Sequence, residues 1–369
     1  MRIAIVINTS WNIYNFRRGL VESLTEDGHE LLLIAPYDEY SERIKSWGTY
    51  IPLIMDNTGT NPVKDGLLWL ALRRIYARER PNIALHFTIK PNIYGTLAAR
   101  SLGIPSINNV SGLGTIFVNE NLTSRIGRVL YRFAFSKECH VLFQNVDDQN
   151  DFNEVVSYRS QNSLVPGSGI DLERFQYFEP PENDIPRFLM VARLLKDKGV
   201  TEFLEAAEQM NNDSKKAEFV LAGELDESHV RGISKDQLEK YISTRSLTYL
   251  GHVDNVQEEM KKADWVVLPS YREGTPRTLL EAAALGRPLI TSDVPGCREV
   301  VTHKANGFLC PPRDVTGLVK TMEMAIEMKQ AEVKQMGEKS REIAMNRFDQ
   351  KIVIGHYKSL IVELTERPV

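Results

Sequence analysis

Residues 263–286 read ADWVVLPSYREGTPRTLLEAAALG. Trp265 to Pro269 is a short run, apolar throughout, as expected of a strand covered on both faces in a parallel sheet. A polar loop follows, and then a helix start that Thr275 can cap and whose first turn suits Pro276. A helix that opens at the carboxyl end of a parallel strand presents free N–H groups and the positive end of its dipole. Such an N-terminus is a site for phosphate. Glu273 sits just before it, and Glu281 falls among Leu279, Leu280, Ala282, Ala283, Ala284 and Leu285. So apolar a helix is buried on most sides. An ionised Glu281 then needs hydrogen-bond donors, and sugar or ribose hydroxyls would serve. The plainer reading makes Glu273 an exposed loop acid and Glu281 a partly solvated helix residue.

A second constellation precedes it. In Val191-Ala192-Arg193-Leu194-Leu195-Lys196-Asp197-Lys198-Gly199, Arg193 lies at a strand end and Lys198 at the start of the following helix. Both can face one crevice, where preoriented cations and helix N–H groups stabilise the charge that grows on a departing diphosphate without a metal. Lys196 reads as solvated. Strand-then-helix alternation runs through the whole chain, with strands expected near Ile3–Ile7, Glu30–Ala35, Asn82–Phe87, Ser106–Asn108 and His140–Phe143. It restarts with Phe188–Ala192, Glu218–Ala222, Leu247–Leu250, Trp265–Pro269 and Pro288–Thr291. Between the two series, Ser160 to Pro186 gathers Pro, Gly, Ser and Asn and reads as a linker.

These series predict two doubly wound α/β domains, 1–165 and 166–346, with 347–369 a closing helix able to return onto the N-terminal domain. A length of 369 residues suits two such cores. No apolar run approaches the roughly 20 residues needed to span a bilayer. Cys139, Cys297 and Cys310 are far apart and odd in number, which suggests neither a disulfide framework nor structural zinc and points to a reducing, cytoplasmic location. The net charge of -4 argues against nucleic acid as the main partner. A nicotinamide dehydrogenase is excluded because Asn8 to Asn12 lacks the glycine-rich turn after the first strand. A nucleotide-sugar 2-epimerase of the same architecture and a non-catalytic nucleotide-sugar-binding protein remain alternatives.

The strings EGTPRTLLEA (Glu273 to Ala282) and ARLLKDKG (Ala192 to Gly199), with NGF at Asn306 to Phe308 and VPGSGID at the linker, resemble the donor-site motifs of family 4 retaining glycosyltransferases. The resemblance spans nearly the whole chain. It implies the GT-B fold, two Rossmann-like domains facing across a cleft that closes on substrate, with no cofactor and no metal. It also implies that Glu273 holds donor-sugar hydroxyls, Glu281 the ribose, and Arg193 and Lys198 the diphosphate, with Gly274, Thr275 and Pro276 completing the donor loop. No Asp-x-Asp triplet occurs in the chain.

The N-terminal segments TIKPNIYGTLAAR (Thr88 to Arg100) and VSGLGTIF (Val110 to Phe117) are similar to the branch that extends sugars on undecaprenyl diphosphate. That likeness implies a hexose or N-acetylhexosamine moved from a UDP-linked donor to a lipid-diphosphate-linked acceptor, at the inner face of the cytoplasmic membrane. Many relatives carry a histidine where this chain has Ile89; His86, three residues earlier, reads equally as a packed core histidine or a ligand. Acceptor-side candidates are Asn15 and Arg17 in a loop, Lys90 and Asn92 at a strand-to-helix junction, and Gly112 and Gly114, which allow close backbone approach. Leu122 to Lys137 places Arg125, Arg128 and Arg132 at helical spacing with Ile126, Val129, Leu130 and Phe133, and Gly66 to Arg80 adds four more arginines. Either helix can lie on an anionic membrane, arginines toward headgroups, or pack its apolar side on the sheet and leave a solvated basic face.

Overall fold

The structure, a computed structural model, describes residues 1–57, 59–113, 122–135, 139–212 and 217–366. It divides into two units, one of Met1–Ser168 with Gln350–Val369 and one of Gly169–Asp349. The boundaries fall three residues beyond those read from the sequence.

In the first unit seven strands form one sheet: β1 (Arg2–Val6), β2 (Glu30–Ala35), β3 (Thr49–Pro52), β4 (Ile83–Phe87), β5 (Ser106–Val110), β6 (Cys139–Phe143) and β7 (Gln161–Leu164). Their order is β3-β2-β1-β4-β5-β6-β7, every pair parallel. The helices are α1 (Ser10–Phe16), α2 (Arg18–Glu26), α3 (Ser41–Ile44), α4 (Pro62–Glu79), α5 (Thr96–Arg100), α6 (Leu122–Ala134) and α7 (Val146–Val155), with a π-helical turn, Pro91–Gly95, leading into α5. Alternation of side chains along each strand separates two helical layers. Ala4, Val6 and Ala84 meet Leu68, Leu72, Ala98 and Ala99 of α4 and α5, while Val141 and Phe143 meet Tyr131 and Ala134 of α6. On the opposite face Ile3, Ile5, Leu31 and Leu33 pack with α2 and with Val353, Tyr357, Leu360 and Ile361 of the closing helix, α15 (Gln350–Glu366). Each large apolar side chain so buried contributes about 1.5–3 kcal/mol, which holds α15 on this sheet.

The second unit has β8 (Arg187–Val191), β9 (Glu218–Ala222), β10 (Thr248–Tyr249), β11 (Trp265–Leu268), β12 (Leu289–Ser292) and β13 (Gly307–Cys310). They lie in the order β10-β9-β8-β11-β12-β13, again parallel. Its helices are α8 (Val200–Asn212), α9 (Lys235–Ser243), α10 (Val256–Lys261), α11 (Arg277–Ala284), α12 (Cys297–Val300), α13 (Val315–Ile326) and α14 (Gln330–Arg347). Both sheets reverse strand order at one point, between β1 and β4 and between β8 and β11. In such sheets the crevice beside the reversal, at the strands' carboxyl ends, is where ligands bind.

Two sequence expectations need correction. The stretch from Ser160 to Pro186 is not all linker, because Gln161–Leu164 is β7, and β3 and β13 also went unread. All three are sheet-edge strands. An edge strand has one neighbour and is short or polar enough to blur the apolar-run signal, as Gln161-Asn162-Ser163 does. Among the described residues no helix is long and apolar enough to cross a membrane.

Candidate functional site

In the second unit the loop after β8 and the loop after β11 meet at the strand-order reversal. Gly199 adopts φ +75°, and a Cβ there would overlap the Pro269 carbonyl, so the two backbones pass in direct contact. The Tyr271 N–H donates to the Asp197 carbonyl at 2.9 Å. Lys198 Nζ then lies 2.5 Å from Glu273 Oε1, which also accepts from Ser270 Oγ at 2.8 Å. Both charged side chains are largely buried, at 22% and 12% exposure, so this is a desolvated, charge-assisted contact. Lys198 and Glu273 are thus brought together as a pair. Arg193 stands exposed at the end of β8 and makes no side-chain hydrogen bond or ion pair among the described residues.

The Glu273 loop is backed by a third segment. Gly296 has φ +78°, and a Cβ there would run into the Glu273 and Gly274 carbonyl oxygens. The Glu273 N–H faces the Pro295 carbonyl at 3.4 Å. On its other flank Tyr271 donates to Glu202 Oε1 at 2.7 Å, and the Arg313 guanidinium lies 4.5 Å over the Tyr271 ring. Burial and the Glu202 carboxylate push the Tyr271 phenol above its ordinary pKa, so it stays a neutral donor.

Helix α11 begins one residue later than the sequence suggested. Pro276, not Thr275, is its N-cap, and no side-chain bond caps it. Proline's fixed φ suits the helix entrance, which moves Thr275 into the loop. Glu281 is partly buried and its Oε1 accepts from Arg277 Nε at 3.0 Å, while Arg277 Nη1 donates to the Gly169 carbonyl at 2.6 Å. The donor that Glu281 required is therefore a side chain of its own helix, one turn earlier. The i, i+4 spacing carried that signal; Tyr271, Glu202 and Ser270 had no comparable one.

In the first unit the acceptor-side candidates also gather near the reversal, between β1 and β4. Asn15 lies within α1 and not in a loop, its Nδ2 donating to the Trp11 carbonyl at 3.1 Å, and Arg17 is the junction of α1 and α2. Arg17 is buried and its guanidinium sits 4.3 Å over the Phe87 ring at the end of β4. Lys90 Nζ is 2.6 Å from Asp65 Oδ1, and Tyr94 donates to Asp65 Oδ2 at 2.9 Å. Asn92 is buried, donating to the Asn109 carbonyl at 2.8 Å. Lys90 and Asn92 thus serve to dock the π-helical turn. Gly112 adopts φ +126°, which favours glycine, and Gly114 lies outside the described residues.

His86 is fully buried. Its Nε2 faces the Tyr76 hydroxyl at 2.8 Å, its Nδ1 faces Asn108 Oδ1 at 2.8 Å, and Thr96 Oγ1 is 3.2 Å away. Burial depresses its pKa to about 4, against a smaller upward effect of the Asn108 bond. The sequence left its role open; the structure makes it a neutral member of a core network.

Two doubly wound parallel sheets, each with its candidate site at a strand-order reversal, are the architecture of the GT-B fold. A likeness in fold alone joins the chain to sucrose-phosphate synthase of Thermosynechococcus elongatus (TM-score 0.83, 19% identity, 99% of each chain). Residues 173–343 match the family model "Glycosyl transferases group 1" and residues 2–145 match "Glycosyl transferase 4-like". The chain is 30% identical over 350 residues to alpha-D-kanosaminyltransferase of Streptomyces kanamyceticus, covering 84% of this chain and 87% of that one. It is 27% identical over 351 residues to the Campylobacter jejuni N,N'-diacetylbacillosaminyl-diphospho-undecaprenol alpha-1,3-N-acetylgalactosaminyltransferase, covering 89% and 90%. It is 25% identical over 336 residues to the Escherichia coli UDP-Gal:alpha-D-GlcNAc-diphosphoundecaprenol alpha-1,3-galactosyltransferase, covering 85% and 83%. This chain belongs to the group 1, family 4 glycosyltransferases.

Proposed function

We infer that the chain transfers a hexose or N-acetylhexosamine, with retention of anomeric configuration and without a metal, from a UDP-linked donor to a lipid-diphosphate-linked sugar at the cytoplasmic face of the membrane. The observation that carries the donor half is the Lys198–Glu273 pair at the β8/β11 reversal. Two of the relatives described above act on undecaprenyl-diphosphate-linked sugars, which supports the acceptor.

Lys198, Arg193 and the start of α11 take the diphosphate, and Glu273 receives donor-sugar hydroxyls. Glu281, oriented by Arg277, receives the ribose. As the bond from C1 to the β-phosphate oxygen breaks, charge grows on the diphosphate, where Lys198 and Arg193 stabilise it. The acceptor hydroxyl oxygen forms the new bond to C1 on the same face and gives its proton to the departing phosphate oxygen. A retaining hydrolase would instead need two carboxylates about 5 Å apart flanking the bond; here Glu273 is paired with a lysine.

The test is incubation with a panel of nucleotide sugars and lipid-diphosphate acceptors, recording nucleotide release and the anomeric configuration of the product. An α-linked product from an α-linked donor, formed in chelator, is expected. Inversion, or a strict need for added manganese or magnesium, overturns the corresponding part. Epimerised donor formed without acceptor would favour the epimerase.

A further inference from the structure

Arg313 stands where its backbone is strained. The chain leaves β13 at Cys310, runs through Pro311 and Pro312, and enters α13 by way of Asp314, whose side chain accepts from the Gly317 N–H at 3.0 Å. Between two prolines of fixed φ and a helix cap, Arg313 is held at φ +59°, in the left-handed region that glycine or asparagine adopts at less cost. Arg80, at φ +50°, closes α4, the ordinary place for a left-handed residue. Arg313 comes before a helix and not after one. A side chain kept at such a position points to a use for that side chain.

The use is not ion pairing. Arg313 is exposed and makes no side-chain hydrogen bond or ion pair among the described residues. Its guanidinium lies 4.5 Å over the ring of Tyr271, in the loop after β11. A cation over an aromatic face is attracted by the ring's quadrupole. Here the ring is enriched further, because its hydroxyl donates to the Glu202 carboxylate at 2.7 Å. Glu202, in the first turn of α8, is 7% exposed, and its second oxygen is buried without a partner. Among the described residues, the Tyr271 hydroxyl is therefore the donor on which this carboxylate depends.

Three parts of Tyr271 are thus held by three segments. Its backbone N–H is tied to the Asp197 carbonyl in the loop after β8, its hydroxyl to α8, and its face to the loop after β13. Asp197 is held in turn by Arg231, from the loop after β9, at 2.7 Å. Lys198 follows Asp197 directly and Glu273 is two residues from Tyr271. The ring is where these loops are locked in the arrangement that pairs Lys198 with Glu273.

We propose that Arg313 is a positioning residue for the donor site: its guanidinium clamps the Tyr271 ring and, through the ring, fixes Glu273 against Lys198. The inference rests on the donor-site reading given above. Arg313 acts on Tyr271 and not on the diphosphate, and its backbone strain is retained for that contact.

The variant Arg313→Gly removes the clamp and the strain together. Its melting temperature should equal or exceed that of the wild type. Its kcat/KM for nucleotide release should nevertheless fall about fivefold or more. Arg313→Lys keeps a cation able to reach the ring and should retain more activity than Arg313→Gly. In Tyr271→Phe, which keeps the ring, the loss caused by Arg313→Gly should persist. In Tyr271→Leu it should nearly vanish, because the clamp has nothing left to hold. Undiminished kinetics in Arg313→Gly would overturn the proposal, as would a loss that merely follows a lowered melting temperature. A full loss in the Tyr271→Leu background would mean that Arg313 meets the donor itself, and would overturn it as well. Calorimetry of UDP binding to the wild type and Lys198→Ala separates this inference from the reading beneath it. If Lys198→Ala binds UDP as the wild type does, the donor-site assignment falls and takes the clamp with it. If it binds weakly while Arg313→Gly keeps full activity, the assignment stands and the positioning role alone is lost.

Discussion

Lys198 Nζ and Glu273 Oε1 are 2.5 Å apart although 75 residues separate them in sequence, and one backbone bond, Tyr271 N–H to Asp197 O, fixes the loops that carry them. The pair is preformed, so the donor site proposed for it would need little reorganisation to receive a diphosphate. Lysine also has donors to spare, because one carboxylate oxygen occupies only one of its three N–H groups.

Lys198→Ala should therefore cut kcat/KM by about 10- to 150-fold, the equivalent of roughly 1.5–3 kcal/mol for a charge-assisted contact. Glu273→Gln, which keeps the bond to Ser270 but not the charge, should fall in the same range. Steady-state nucleotide release on variants with wild-type circular dichroism checks this. Near-normal kinetics in both would remove the pair from the donor site.

Gly296→Ala examines the backing of that site without replacing any side chain proposed to bind the donor. The new methyl would combine a strained positive φ with overlap of the Glu273 and Gly274 carbonyls. The Glu273 loop must shift, and a displacement of about 1 Å near reacting groups costs on the order of 100-fold. We expect kcat to drop far more than the melting temperature. A variant that loses only stability would show that the loop tolerates the shift.

How far the sequence spoke depended on whether a signal was local. Trp265 to Pro269 and Leu279 to Leu285 declared a buried strand and a buried helix because every neighbour but Glu281 was apolar, and Arg277 stood one helical turn from Glu281 ready to be noticed. The core strands were legible for the same reason. Edge strands such as Gln161–Leu164 were not, since half-paired backbone tolerates polar residues. Contacts made by folding were also invisible: nothing near Lys90 announces Asp65, 25 residues away. Nor could pattern alone tell which side of α6 meets the sheet, because apolar residues occur on both.

Arg287 supplies a stability prediction. It is fully buried and donates to the carbonyls of Lys261, Ala263 and Leu285 at 3.5, 3.4 and 3.3 Å and to that of Phe178, which gathers the ends of α10 and α11 with the chain that enters the unit. Burial lowers its pKa to about 10, so it remains charged near neutrality. Arg287→Met leaves several carbonyls without a donor at about 1–3 kcal/mol each. With about 2–4 °C per kcal/mol for a unit of this size, the melting temperature should fall by roughly 5 °C or more. Arg287→Lys, with a point charge in place of a fork, should recover only part. An unchanged melt for the Met variant would mean that water satisfies the carbonyls.

His86 gives the pH dependence its sign. Its ordinary pKa of 6.5 is depressed to about 4 in the folded chain, by burial first, because the ring lies among Tyr76, Thr96 and Asn108 and, among the described residues, no carboxylate compensates a charge there. The unfolded chain therefore binds a proton at a pH where the folded chain does not. Stability from this group is complete above about pH 6.5, declines as pH falls from 6.5 toward 4, and changes no further below that, for a total on the order of 3 kcal/mol. Urea unfolding followed by circular dichroism at pH 7.5 and pH 5 should show the wild type losing about 1–2 kcal/mol on acidification from this residue, within that interval. His86→Gln keeps hydrogen-bonding capacity but does not titrate, so it should be less stable at pH 7.5 and lose measurably less than the wild type between the two pH values. Equal acid sensitivity in the two proteins would show that His86 takes up its proton in the folded state near its ordinary pKa, and the neutral core network described here would be wrong.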